Sequence, residues 1–480
     1  SFCLDFANSA DLGNDISSNN NDFTATSMTA VNQTASSPSS AFCTWNPLRV
    51  NTQTQTFAEG NLRFSSTQTS TNPAATGNYG VSSGKFYWEV FVVAQGNTSN
   101  ILGICDTAAG LEDDTTALYA SALMYGYEFA GTKRNNNSSA SYGDSITTGD
   151  IVGVALDMDN GGVYFSKNGT FQASGDPTSG ASLTNAAFTG LNSAGSGVFQ
   201  PYYLAYSSGD GVANFGQSPT FNGQTTAGGN TDANGRGNFK HSVPSGYTAL
   251  TSANITEPSY QGIDYFAPTL YEGNGTGQRV GDFVPFTDAF NVANSAMFQH
   301  DEARALSRTA GAPSSSGGKK GTWSTWYKTA IIDTDNIFFD NGTTATNRFS
   351  LQMDASGQIV FLFAGTTILM TNADLKGGGL WRNLVLKVDT SLATASARAI
   401  MYIDGVEVTS FATDARASLT QDGELGYMDS GATQFVGSYN GVTANQWDGY
   451  LAETIFLDNQ FLSADSFGQL DTSTNKWVPK

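Results

Sequence analysis

The chain has 480 residues, of which 39% are hydrophobic, 12% aromatic and only 13% charged, with 53 glycines. Its 22 basic and 42 acidic side chains give a formal net charge of −20, which disfavours nucleic acid and anionic membrane surfaces as partners. No run of 18 apolar residues is present that would cross a bilayer as a helix. The abundance of Gly, Asn, Thr and aromatic residues, with no long amphipathic helical stretch, predicts an all-β protein rich in turns. The length allows about three domains. The chain begins at Ser1, and the expectation is a processed product or part of a longer protein, placed on a virion or outside the cell.

In chain order, Phe2, Leu4 and Phe6 alternate with Cys3, Asp5 and Ala7, which predicts a strand with one apolar face. Asp11 to Asp22 is turn-like, Phe23 to Val31 predicts a second short strand, and Thr44-Trp-Asn-Pro-Leu48 leads into the next module. Residues 1–58 are too few to fold comfortably alone and are read as an N-terminal strand and linker segment. Cys3, Cys43 and Cys105 do not form a disulfide framework. A Cys3–Cys43 bridge and buried free thiols are both open readings, with the second favoured.

The most ordered stretch is Asp150 to Phe171, DIVGVALDMDNGGVYFSKNGTF. Ile151 to Leu156 carries no charge and predicts a strand buried on both faces. Asp157 to Gly162 is a turn sequence, and Asn168-Gly169 is a strong hairpin signal. Around it stand Gly84-Lys-Phe-Tyr-Trp-Glu-Val90, Ile101-Leu-Gly-Ile104, Tyr125-Gly-Tyr127, Pro201-Tyr-Tyr203 and Val212-Ala-Asn-Phe-Gly-Gln217. In this order the motifs resemble those of a SPRY domain, over residues 59–220. The resemblance implies an antiparallel β-sandwich that binds a ligand, and it does not specify which.

Residues 221–283 form a Gly/Asn/Thr-rich connector. Ser245 to Leu250 and Tyr260 to Tyr271 within it are expected to drape over a neighbouring domain. Residues 284–480 carry Trp323-Ser-Thr-Trp-Tyr-Lys328, Trp381-Arg-Asn-Leu-Val-Leu386, Ala399 to Val408, Gln434-Phe-Val-Gly-Ser438 and Trp447 to Phe456. Asp404-Gly405 marks another hairpin. This set resembles a laminin-G-like, concanavalin A-like jelly roll. The whole layout is similar to tail-fibre-type and other virion-surface proteins of bacteriophages. In that layout the LDFAN segment (Leu4 to Asn8) resembles the stretch that comes after a laminin-G-like module. The resemblance implies that the first strand completes a jelly roll in a preceding subunit, its own jelly roll being the other candidate acceptor.

Chemistry-bearing patterns are few. The two histidines, His241 and His300, lie near the connector, and neither HExxH nor a P-loop motif occurs. Gly273 to Gly277 reads as a turn. Glu453 stands alone on its strand, and Glu112-Asp113-Asp114 alternate faces, so the paired carboxylates of a glycosidase have no clear candidate. Asp157, Asp159 and Asn160 read as turn residues. Asp333, Asp335, Asn336 and Asp340 offer the oxygen ligands calcium prefers, and calcium is the one cofactor the sequence suggests. Tyr439, Asn440, Asn445 and Trp447 flank one loop of the jelly roll, and Tyr125 and Tyr127 stand beside the Lys133 to Ser139 loop. Aromatic faces beside amides suit sugar binding, with core packing as the alternative.

The expected function is non-enzymatic recognition or adhesion at a host surface, with a glycan or protein as partner. Contacts to other virion proteins and homo-oligomeric assembly are expected, without nucleic acid or membrane insertion. The alternatives are a structural protein of a particle or extracellular filament, and a polysaccharide depolymerase.

Overall fold

The computed structural model describes residues 1–49, 55–69, 73–109, 120–255, 290–311, 318–330, 335–341, 348–376, 379–428, 431–439, 445–471 and 476–480. Among them the regular elements are strands and short 3-10 turns, so the all-β expectation holds. Four large sheets form two sandwiches, one of nine and six strands and one of eight and eight.

The first sandwich is organised around Ile151–Asp157, buried at every position. It lies between Lys85–Ala94 and Gly162–Lys167, with Val154 opposite both Trp88 and Phe165. Val152, Val154 and Leu156 face the core between the sheets, with Trp88, Tyr127, Phe165 and Tyr203. Ala155 faces the other way and is covered by Phe42, Phe239 and Tyr247. That second cover explains why the strand reads as continuously apolar, since neither face meets water. At the first turn Asp157 accepts hydrogen bonds from both nitrogens of Asn160. At the second, Asn168 (φ 49°) and Gly169 (φ 81°) adopt the left-handed pair of a type I′ turn, as the sequence predicts.

The cover comes from the connector. Residues 221–255 lie against this sandwich, and Thr248–Ala249 pairs in parallel with Phe86 and Tyr87. Buried Glu89 anchors the strap. Its carboxylate accepts the backbone N–H groups of Lys240 and His241, both at 2.8 Å, and the Tyr87 hydroxyl at 3.0 Å. Burial holds the Glu89 carboxyl up at about 7, against those hydrogen bonds. Tyr260 to Tyr271 and Gly273 to Gly277 lie outside the described residues.

The second sandwich does not follow the predicted segment boundaries. Its strands come mostly from residues 295–458, but Phe2–Leu4 pairs with Gly449–Asp458, Thr24–Thr26 with Ala305–Thr309, and Gln33–Thr34 with Ser295–Phe298. The expected N-terminal segment 1–58 is therefore divided. Its first part completes this sandwich, while Phe42, Cys43 and Trp45 pack into the first. Phe2, Leu4 and Phe6 are at most 2% exposed and join a core with Trp323, Phe339 and Phe456. The Phe2 ring meets Phe23 edge-on at 4.7 Å. The acceptor of the first strand is thus the chain's own jelly roll, which corrects the expectation of donation to a preceding subunit. The reason is geometric: Gly449–Asp458 pairs with Ala296 to Phe298 only as far as Leu451, leaving Thr454 to Phe456 open for Phe2 to Leu4. An unpaired stretch of that kind is satisfied where a partner is at hand.

The two sandwiches meet through buried polar contacts. The Tyr450 hydroxyl donates to the Gly60 carbonyl at 2.8 Å, and Arg304 pairs with Glu59 at 3.1 Å. Lys328, fully buried, donates to the Phe42 carbonyl at 3.0 Å. Desolvation pulls its ammonium down to about 8.

Candidate recognition site

Asp340 and Tyr439, two of the predicted site residues, meet at Arg348 beside the Asn336–Asp340 strand, which lies between Phe349–Met353 and Thr433–Val436. Asp340 is fully buried, and a carboxylate so placed needs a counter-charge. Arg348 supplies it, with Nη2 at 2.9 Å and Nε at 3.0 Å from Oδ2. The same guanidinium lies 4.1 Å from the centroid of the Tyr439 ring. Asp340 thus fixes Arg348, and Arg348 backs one face of a half-buried tyrosine at the edge of the sandwich.

The other predicted members are placed differently. Trp447 is fully buried, 4.3 Å from the Phe338 ring and edge-on to Tyr327 at 5.7 Å, so it is core and not a sugar platform. Its backbone N–H donates to Gly437, which holds it at the base of the loop. Asn445 is half-buried and, at φ 62°, serves the turn. Asn440 lies outside the described residues, as does Asp333. Asn336 is buried, and its Oδ1 accepts the Asp448 N–H at 2.8 Å. Asp335 is half-buried. Asn336 is thus engaged by a backbone amide and Asp340 by an arginine. Among the described residues no cluster of three or more acidic, His or Cys side chains could hold a metal.

In the first sandwich Tyr125 is half-buried, edge-on to Phe188 at 5.3 Å and Phe199 at 5.8 Å. Tyr127 is fully buried against Tyr142 and Phe165, and its hydroxyl donates to the Asp144 carbonyl. The two rings belong to separate aromatic groups and do not make one site.

The SPRY domain family matches at residues 85–218. This segment is a SPRY domain. The SPRY region is 36% identical over 92 residues to the ATP-dependent RNA helicase DDX1 of Xenopus laevis, covering 19% of this chain and 11% of that protein. It is 31% identical over 86 residues to the ATP-dependent RNA helicase Ddx1 of Drosophila melanogaster, 18% of this chain and 11% of that one. The chain therefore matches about a tenth of the length of these curated relatives. Among solved structures, the SPRY domain of human HERC1 is 20% identical, covers 35% of this chain and 96% of its own, and gives a TM-score of 0.27. Stonustoxin is 19% identical, with 36% of this chain and 27% of that chain covered, at a TM-score of 0.28.

Within the SPRY domain the turn residue Asp157 also pairs with Lys85 at 2.9 Å, and Asp159 accepts the Gly84 N–H at 2.6 Å. Both carboxylates therefore hold the hairpin. His241 packs beside Gly169, and burial lowers its pKa. His300, in the second sandwich, meets Asp448 at 3.0 Å. All three cysteines are free, and burial pushes the thiols of Cys3, Cys43 and Cys105 up to about 12. Two further residues carry weight that sequence reasoning does not assign them. Arg348 reads as the first residue of a strand, and its spacing does not reveal its pairing with Asp340. Glu89 sits in the middle of the KFYWEVFVVA strand, where a lone acid among apolar neighbours marks an anchor.

Proposed function

We propose that this chain is a non-enzymatic surface protein of a virion, of tail-fibre type, that recognises a glycan on a host surface. The observation that carries the reading is the Asp340–Arg348–Tyr439 stack. A tyrosine backed by a fixed guanidinium is held in one orientation before any ligand arrives, which lowers the ordering cost of binding. A tyrosine ring and hydroxyl suit the C–H faces and hydroxyls of a sugar. The SPRY domain, as a member of a family of binding modules, supports recognition rather than catalysis. The second sandwich serves in this reading as a laminin-G-like, concanavalin A-like module presenting the stack.

The test applies the full chain to a glycan array, beside Tyr439→Ala. Binding that is lost in the variant while its melting is unchanged is the expected result. Binding indifferent to Tyr439, or no glycan bound at all, would overturn the proposal. Cleavage of a polysaccharide by the intact chain would replace it with the depolymerase reading.

A further inference from the structure

A cavity lies against the outer face of the second sandwich, beside the Gly449–Asp458 strand. At Glu453 the Gly449–Asp458 strand carries a bulge: Ser324 faces Ile455, and Trp326 faces Ala452. Glu453 takes φ 45°, a strained value for a residue that is not glycine. At this bulge Glu453 lines the cavity, of about 50 Å³. Trp326, Ile455 and Phe467 line that cavity together with Ser324, Ser466 and Pro479, and the half-exposed Phe290 borders it. Trp326 is 3% exposed and Phe467 8%, so the walls are fixed parts of the fold.

Glu453 makes no hydrogen bond or ion pair with the described residues, unlike Glu89, Asp340 and Asp448. Burial, with the negative charge of Asp5 adding to it, raises its carboxyl to about 7. The other charged and titratable groups around it are few. Cys3 on the first strand is itself raised by Glu453. Lys480 lines the cavity, but its ammonium donates to the Asp465 carbonyl at 3.0 Å. A carboxyl without a partner among the described residues, beside the Trp326 and Phe467 rings, therefore lacks one thing, a cation that does not need a full hydration shell.

We propose that this cavity binds a small alkylammonium group, held by the Glu453 carboxylate and the aromatic faces of Trp326 and Phe467. A metal ion would find one carboxylate, two serines and a lysine, which is a poor oxygen shell. A methylated ammonium is weakly hydrated and gains from both the charge and the rings. Its binding favours ionised Glu453, so affinity rises as pH rises through about 7, and binding releases a proton from the fraction still protonated.

Calorimetric titration of the full chain with choline, beside its uncharged isostere 3,3-dimethylbutan-1-ol, tests this at matched ionic strength. Saturable choline binding is expected at about pH 8, weaker by about tenfold or more at about pH 5.5 and in Glu453→Gln, with the isostere weaker still. Failure of choline to bind at the higher pH would overturn the proposal. So would equal binding of the isostere, or affinity indifferent to Glu453→Gln. The pH series on the unmodified chain keeps the test decisive if the variant melts early.

Discussion

The first sandwich is built from one continuous run of chain, from the Phe42 bridge to Ala249, while the second closes only when Phe2 to Thr34 meets strands that begin at Ser295. The SPRY domain thus sits as an insertion inside the second fold. The first sandwich also joins distant strands, Arg63–Ser66 and Lys85–Ala94 both pairing with Gly209–Asn214, but all of them lie within that one run. A sandwich made of both ends must join residues as far apart in sequence as Phe2 and Phe456. The difference teaches that the same all-β composition supports two kinds of dependence. The inserted domain needs only its own run of chain, and the outer one needs its terminus.

That contrast breaks most visibly at the terminus. Deleting Ser1 to Asn8 removes Phe2, Leu4 and Phe6, all essentially buried. At about 1.5–3 kcal/mol each, the loss is about 4.5–9 kcal/mol, comparable with the whole stability of a domain. The second sandwich should lose its cooperative transition in calorimetry while the SPRY transition remains. Equal shifts in both transitions would refute the division.

A milder break tests the inserted domain. Gly169→Val places a branched side chain at φ 81°, with its Cβ 2.8 Å from the His241 ring. It should cost about 2–3 kcal/mol and move only the SPRY transition. Gly161→Ala, at φ 76° with its Cβ against the flexible Asn192 amide, should cost about 1 kcal/mol. Equal shifts would count against the type I′ turn.

The carboxyls sharpen the comparison further, because each sandwich holds one raised to about 7. Raised acids contribute stability that is full below the unfolded carboxyl range and lost as pH rises through about 7. Glu89 is satisfied by N–H and O–H donors, so Glu89→Gln turns an amide NH2 toward donors. It should destabilise by about 1–3 kcal/mol at both ends of the pH range. Glu453 has no such donors among the described residues. Glu453→Gln should be neutral at about pH 4 and stabilising by about 1 kcal/mol at about pH 8, after allowance for its partial exposure. Melting curves at the two pH values check both signs. A stabilising Glu89→Gln would show that its hydrogen bonds to the strap do not form.

The legibility of the sequence divides along the same line. The Asp150 to Phe171 meander can be read because strand, turn and strand are adjacent, and Asn168-Gly169 names its own turn. The pairing of Phe2–Leu4 cannot, because an apolar strand shows its face but not its partner. Trp447 reads as a binding residue from its Asn-rich neighbours. Alternation through Trp447, Gly449 and Leu451 puts it on the core side, where Phe338 stands. Asp340 offers an oxygen but not the information that Arg348 already holds it. The bulge at Glu453 is invisible, since an extra residue in a strand leaves the apolar pattern nearly intact.

The central claim, that the chain's own first strand completes its second sandwich, is tested most directly by a cross-link. Cys3 is native and lies opposite Ile455 in an antiparallel pair, whose Cα spacing of about 4.5–5.5 Å falls within the reach of a disulfide. Ile455→Cys, oxidised and run on a non-reducing gel, should give a single species of one-chain mass with altered mobility, independent of protein concentration. Disulfide-linked dimers and ladders that grow with concentration would place the first strand in a neighbouring copy and contradict the account.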